Sequence, residues 1–167
     1  DRGALRLVHE LAESFQFYLL KASCLLAKEK GACDDFIETK YYKGQLPIDH
    51  YKQEVDDLVK PVYLHDWNEL GDLIEEHGLR NSTLTAQMPS ESSSVVCNAT
   101  NGVEPPRDYL SIKKSKKGTL KQIVPSYTTL KSNYTLLWDM KSMDGYLNIM
   151  AVIQKFFDQS ISTNTSY

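Results

Sequence analysis

The sequence predicts an α/β chain, from three features of its patterning. Apolar residues recur at three- and four-residue spacing over long stretches. Two short stretches alternate apolar with polar residues, and a glycine-centred segment has the form of a β-hairpin. Helices interleaved with period-two segments imply mixed layers of helix and strand.

Between Ala4 and Lys30 the apolar positions are Val8, Leu11, Phe15, Tyr18, Leu19, Ala22, Leu25 and Leu26, a stripe that predicts one long amphipathic helix stopped at Gly31. A polar-aromatic connector follows, then a short helix over 49–59 ending before Pro61. Asp66 with Glu69 three residues on marks the next helix start; Leu70, Leu73 and Ile74 are its inward stripe and Gly78 its stop. Leu84, Ala86 and Met88 then alternate with Thr83, Thr85 and Gln87, which predicts a strand whose apolar side packs and whose polar side faces the site. A hairpin spans 109–124 with Gly118 near its turn. Ser126 caps an expected helix to about Met140, with Leu130, Tyr134, Leu137 and Trp138 inward. A second helix follows Asp144-Gly145 to Phe157, and residues 161–167 alternate as a closing strand.

A chain of 167 residues with 41% hydrophobic and 25% charged residues has enough material for one globular core. Its net charge of −3 gives no general reason to expect nucleic-acid or anionic-membrane binding. The lysines at 113, 114, 116 and 117 read as a solvated hairpin tip that protects a strand edge, with a basic nucleic-acid patch as the competing reading. No apolar run is long enough to span a bilayer. Cys24, Cys33 and Cys97 form no CxxC pair, so a reducing, cytoplasmic setting is expected, and the four N-x-[ST] triplets are read as chance. The four histidines lack metal-ligand spacing, so no metal is expected. A start without Met or an apolar leader, and an end within "SISTNTSY", suggest part of a longer chain.

The stretch "MPSESSSVVCNATNGVEPPR" carries the most chemistry. Pro89 turns the chain, and a short helix is expected from about Ser92 to Thr100, stopped at Asn101-Gly102. The amides of a first turn have no intrahelical acceptor, and hydroxyls beside them suit an anion. Ser90, Ser92 and Ser93 supply those hydroxyls, while the Glu91 carboxylate should point away and leave its N–H available. Simple capping by Ser90 explains the same residues. From the residues alone both readings stay open. Cys97, beside Val95 and Val96, reads as a packed structural thiol.

"HGLRNSTLTAQMPSESSSVVCNATNGVEPPR" and "DGYLNIMAVIQKFFDQSISTNTSY" closely resemble the large (α) subunit of class I ribonucleotide reductases, as do "FYLLKASCLLAKEKGAC" and "KGQLPIDHYKQEVDDL". The resemblance covers essentially the whole chain in order. It implies a ten-stranded α/β barrel of two parallel half-barrels, with this chain a single incomplete segment, 1–167, of the second half. It implies reduction of ribonucleoside diphosphates by radical chemistry, with a smaller metal-containing subunit delivering the radical. Pro89, Ser90, Glu91, Ser92 and Ser93 then match the residues that grip the substrate diphosphate, which favours phosphate binding over capping. The family's radical cysteine, its redox cysteine pairs, its tyrosine relay and its allosteric sites have no counterpart here; Tyr41-Tyr42 is in the wrong context for the relay. The resemblance therefore implies no catalytic residue and no cofactor in this segment, and partners comprising the substrate, the rest of the α subunit and the radical-generating subunit. A non-catalytic split or orphan fragment, acting as an interaction module, is the alternative.

Overall fold

The computed structural model describes residues 1–115 and 118–164. In chain order its elements are α1 (Arg2–Lys30), α2 (Val55–Leu58), α3 (Trp67–His77), α4 (Glu91–Val96), β1 (Leu110–Ser115), β2 (Gly118–Ile123), α5 (Tyr127–Leu130) and α6 (Asp144–Phe156), with 3-10 turns at Asp34–Glu38, Lys131–Asn133 and Leu137–Asp139. They fall into two compact units. The first comprises Asp1–Ala86 and Asn148–Ile161; the second comprises Gln87–Leu147 and the described residues from Ser162 on.

In the first unit, local sequence determines where the helices begin and end. The Asp1 carboxylate accepts from the Gly3 N–H, and Gly31 at φ 83 ends α1 after Lys28 and Lys30. Asp66 caps α3 by accepting from the N–H groups of Asn68 and Glu69. Gly78 ends α3 at φ 72, and a Cβ there would lie 2.8 Å from the Ala32 Cβ, so conformation and space both require glycine. Leu20, Leu70, Ile74, Leu79 and Phe156 are fully enclosed, joined by Phe17, Tyr41, Leu46 and Trp67. A second cluster gathers Leu5, Val55, Val59 and Val152.

The buried face of α1 is not the expected stripe. Leu11, Phe15, Tyr18, Leu25 and Leu26 are exposed, whereas Leu5, His9, Ala12, Glu13, Gln16, Phe17, Leu20, Ser23, Cys24 and Ala27 are buried. This helix is apolar around much of its circumference, so periodicity does not select a face. Long-range polar contacts accompany the choice. Glu13 Oε1 accepts from the N–H groups of Leu64 (2.8 Å) and His65 (3.1 Å) and from the Trp67 indole (3.3 Å).

Three other expectations hold only in part. The helix over 49–59 shrinks to Val55–Leu58, because Asp49 and His50 donate back to Leu46 O in a turn. The strand at 84–88 is not formed as a ladder: Leu84 N–H goes to an Asp158 carboxylate oxygen, and Thr85 O accepts from Gln159. The expected faces hold only at the start: Leu84 packs against the first core, but Thr85 is 3% exposed while Ala86 and Met88 are exposed. The spacing in α6 puts Leu147, Met150, Ile153 and Phe157 inward; Met150 is buried and Phe157 packs half-buried against the first core, but Leu147 is exposed and Val152 and Phe156 are buried instead.

The second unit contains the hairpin, β1 pairing antiparallel with β2 from Leu110↔Ile123 to Ser115↔Gly118. It is the one ladder among the described residues. The lysine tip at 116 and 117 lies outside the described residues; Lys113 and Lys114 are exposed. The long helix expected from Ser126 is absent. Ser126 adopts the left-handed conformation, φ 52, and makes no side-chain cap. α5 then passes into a 3-10 turn and Tyr134 is extended, while Leu137 donates to Pro106 O. Leu137 is buried, but Trp138 and Leu130 are exposed. Only Ile161 of the closing strand has bridge geometry, and 165–167 lie outside the described residues. Among the described residues the fold is mixed helix and strand, dominated by helix.

Candidate functional site

The candidate loop lies in the second unit. Met88 and Pro89 are exposed and deliver the chain into α4, whose first residue is Glu91. The helix starts and stops earlier than expected. Asn98 adopts φ 49, and the Asn98 and Ala99 N–H groups fold back to Val95 O (3.3 Å) and Ser94 O (2.8 Å). The stop is thus Asn98, a residue that tolerates the left-handed region, not Asn101-Gly102. Val96 and Cys97 are exposed, which overturns the packed-thiol reading; Cys24 is the buried thiol, and all three cysteines are free.

Ser90 occupies the N-cap position at φ −104, ψ 54, and its side chain makes no capping bond. Its hydroxyl donates instead to Met88 O at 3.5 Å, and the Ser93 hydroxyl to Ser90 O at 3.4 Å. Among the described residues the N–H groups of Ser92 and Ser93 have no acceptor. An exposed first turn with donors facing outward can take an anion or water, as the unpaired ends of any helix can. The backbone of Glu91 is helical, but the orientation of its side chain lies outside the described residues.

Two contacts hold this turn in shape. Ser90 N–H donates to Asn101 O at 2.7 Å, closing the segment from 90 to 101 into a ring. At its far side the Gln122 carboxamide, from β2, donates to Ala99 O (2.7 Å) and to Ser94 O (3.3 Å). Gln122 lies 23 and 28 residues from these partners, so no local pattern could have marked it. A cleft of about 500 Å³ in the same unit is lined by Asn101, Glu104, Arg107, Lys113 and Gln122 among others, and none of Pro89–Ser93 lines it.

A second set of buried polar groups lies in the first unit. Asp158 accepts from Tyr41 Oη, from Gln16 Nε2 (3.1 Å), from Lys40 Nζ (2.9 Å) and from the Leu84 N–H (2.8 Å). Thr85 Oγ1 donates to Gln16 Oε1 (2.9 Å) and accepts from the Asp158 N–H (2.9 Å). Burial would raise the Asp158 pKa, but Tyr41, Leu84 and Lys40 hold it below the usual carboxylate value. Burial, with the neighbouring Asp158 charge, pushes the Tyr41 phenol upward, and Tyr42 is exposed. Among the described residues no group of three or more His, Cys, Asp or Glu could hold a metal ion, and no helix is long and apolar enough to cross a membrane.

Residues 1–167 match the family model described as ribonucleotide reductase, barrel domain. The chain is 58% identical over 167 residues to the ribonucleoside-diphosphate reductase subunit alpha of Haemophilus influenzae, and 56% identical over 167 residues to the ribonucleoside-diphosphate reductase 1 subunit alpha of Escherichia coli. The alpha subunit of enterobacteria phage T4 is 44% identical over 163 residues, 96% of this chain. In each case the chain spans only 22% of the relative's length.

Proposed function

Because the chain belongs to the ribonucleotide reductase barrel-domain family, we propose that it is the substrate-diphosphate-binding part of a class I ribonucleoside-diphosphate reductase α subunit. The observation that carries this reading is the match over the whole chain, at 55–58% identity, to relatives named as that subunit. In this reading the segment is part of the second half of a ten-stranded α/β barrel. Its missing strand partners are then supplied by the rest of the subunit, which accounts for residues 84–88 showing an isolated bridge at Gln87 and no ladder.

Pro89, Ser90, Glu91, Ser92 and Ser93 bind the substrate's diphosphate. Pro89 turns the chain, and the amides of Glu91, Ser92 and Ser93 with the serine hydroxyls donate to phosphate oxygens. Charge-assisted bonds of this kind are roughly twice as strong as neutral ones. The uncapped Ser90 supports this, since its hydroxyl does not occupy those amides. The segment binds and orients; the radical chemistry belongs to residues elsewhere in the α subunit and to a smaller radical-generating subunit. No cofactor is assigned to this segment, and the enzyme works in the cytoplasm.

The alternative, a non-catalytic reductase fragment that docks on other pieces, rests on one observation. Leu7, Leu11, Phe15, Tyr18 and Leu25 are each more than half exposed on α1. A face of that kind calls for a covering partner, but it is equally explained by the rest of a full-length subunit.

Hydrogen exchange on the full-length α subunit tests the loop assignment. A ribonucleoside diphosphate should slow exchange at residues 91–93, whereas the parent nucleoside should not. Equal exchange with and without saturating diphosphate would remove the assignment.

A further inference from the structure

The β1–β2 hairpin packs loosely: Leu110, Ile112, Leu120 and Ile123 are all at least 40% exposed. Along β2 Gln122 is half-buried where the other residues are exposed. Its carboxamide carries two N–H hydrogens, and both find main-chain carbonyls of the ring that begins at Ser90: Ala99 O at 2.7 Å and Ser94 O at 3.3 Å. The opposite amide orientation would set Oε1 against two carbonyl oxygens, so chemistry fixes which end faces them. β1 supports the contact from behind, because Ser111 stands opposite Gln122 in the ladder and its hydroxyl donates to Gln122 O at 3.4 Å.

We propose that Gln122 is a positioning residue for the loop that binds the substrate diphosphate, a role that rests on the assignment of Pro89–Ser93 made above. Ser94 is 3% exposed and directly follows Ser92 and Ser93. Gripping its carbonyl, and that of Ala99, fixes the helical turn whose opposite end presents the Ser92 and Ser93 amides. The neck of the ring is already closed by Ser90 N–H and Asn101 O at 2.7 Å. Gln122 immobilises the other side. Donors held in place before binding cost less ordering when the anion arrives. The hairpin thereby acquires a role that its lysine tip did not suggest: it is the strut from which this contact is made.

The test uses the full-length α subunit with its radical-supplying partner and a ribonucleoside diphosphate as substrate. Gln122→Met keeps the shape and removes both donors; Gln122→Glu places a carboxylate against two carbonyls. Each should raise KM by about tenfold with kcat within about twofold, the pattern of lost ground-state and transition-state binding alike. An unchanged KM, or a fall in kcat comparable to any rise in KM, overturns the proposal. If Gln122→Glu does not fold, Gln122→Met decides on the same criterion. Ser92→Ala combined with Ser93→Ala tests the loop itself. An unchanged KM there sinks the loop assignment, and the role of Gln122 with it. A raised KM there beside a normal KM in the Gln122 variants overturns Gln122 alone.

Discussion

Asp158 accepts the Leu84 N–H at 2.8 Å, tying the end of the α6 region to a segment 74 residues away in sequence. The same carboxylate takes Tyr41, Gln16 and Lys40, and its own N–H donates to Thr85. Every side chain around it donates, so an anion is the species that fits. The junction fixes residues 84 and 85, five and four residues ahead of Pro89.

Asp158→Asn should therefore destabilise the first unit although it is nearly isosteric. An amide NH2 would face donors and leave at least one of them unpaired in a buried site, at about 2–4 kcal/mol. Because the Asp158 pKa is lowered on folding, its stabilisation is present above the unfolded carboxylate value. It is lost as pH falls through the still lower folded value. Hydrogen exchange at 84–86 in the full-length subunit should quicken in the variant, and the wild type should approach the same rate only in strong acid. Unaltered protection in Asp158→Asn would show that the junction contributes little.

Elements with local punctuation were legible in the sequence: Asp66 and Gly78 bound α3, Gly31 ends α1, and Gly118 opens β2. What was not legible depends on partners far along the chain. The inward face of α1 is marked by Glu13 and Gln16, whose acceptors and donors come from residues 41, 64, 65, 67, 85 and 158. Thr85 is buried because its hydroxyl has two such partners, against the alternation that assigned it to a polar face. At the candidate loop, the serines and the short helix were visible from their types and order. Gln122, on a hairpin that reads as solvated, carried no cue.

Glu13 offers a sharper contrast between two substitutions. Oε1 accepts three donors, of which the Trp67 indole is buried, whereas Oε2 is enclosed without a hydrogen-bond partner. Glu13→Gln retains a carbonyl oxygen for those donors, so the cost should stay within about 1–2 kcal/mol; Glu13→Ala strands all three and opens a cavity, at about 4 kcal/mol or more. Thermal unfolding of the two variants checks the order. Equal losses would mean that the three bonds do not explain why this face is inward.

The apolar face of α1 should govern association of the 167-residue chain expressed alone. Leu11→Gln with Phe15→Gln replaces two side chains that are 62% and 56% exposed, so little buried packing is lost. Sedimentation should show the parent chain self-associating and the double variant shifted toward monomer, with a change in stability of no more than about 1 kcal/mol. In the full-length subunit, where the proposed reading has this face covered, the same pair should instead lower stability. A variant silent in both settings would mean that this face meets solvent in the working protein.

His9 supplies a dependence on mild acid. Its ring is fully enclosed, edge-on to Phe156 and stacked on Tyr63, with neither nitrogen hydrogen-bonded. Burial first, then the Lys155 and Arg6 charges, lowers its pKa to about 4, against the opposing pull of Glu10 and Asp56. A lowered histidine pKa means that the fold disfavours the charged ring. Above the unfolded value near 6.5 both states hold the ring neutral and its titration takes nothing from stability; as pH falls from there toward about 4, the unfolded chain takes up the proton and the folded state does not. The stability lost over that window is about 3 kcal/mol, and it levels off below the folded pKa. His9→Phe keeps an aromatic ring in the same enclosure and removes the proton site. Exchange rates of the buried α1 amides should therefore rise between pH 6.5 and 4 in the wild type, after correction for intrinsic chemistry, and stay flatter in the variant. Identical pH profiles would place the acid sensitivity of this helix on another group.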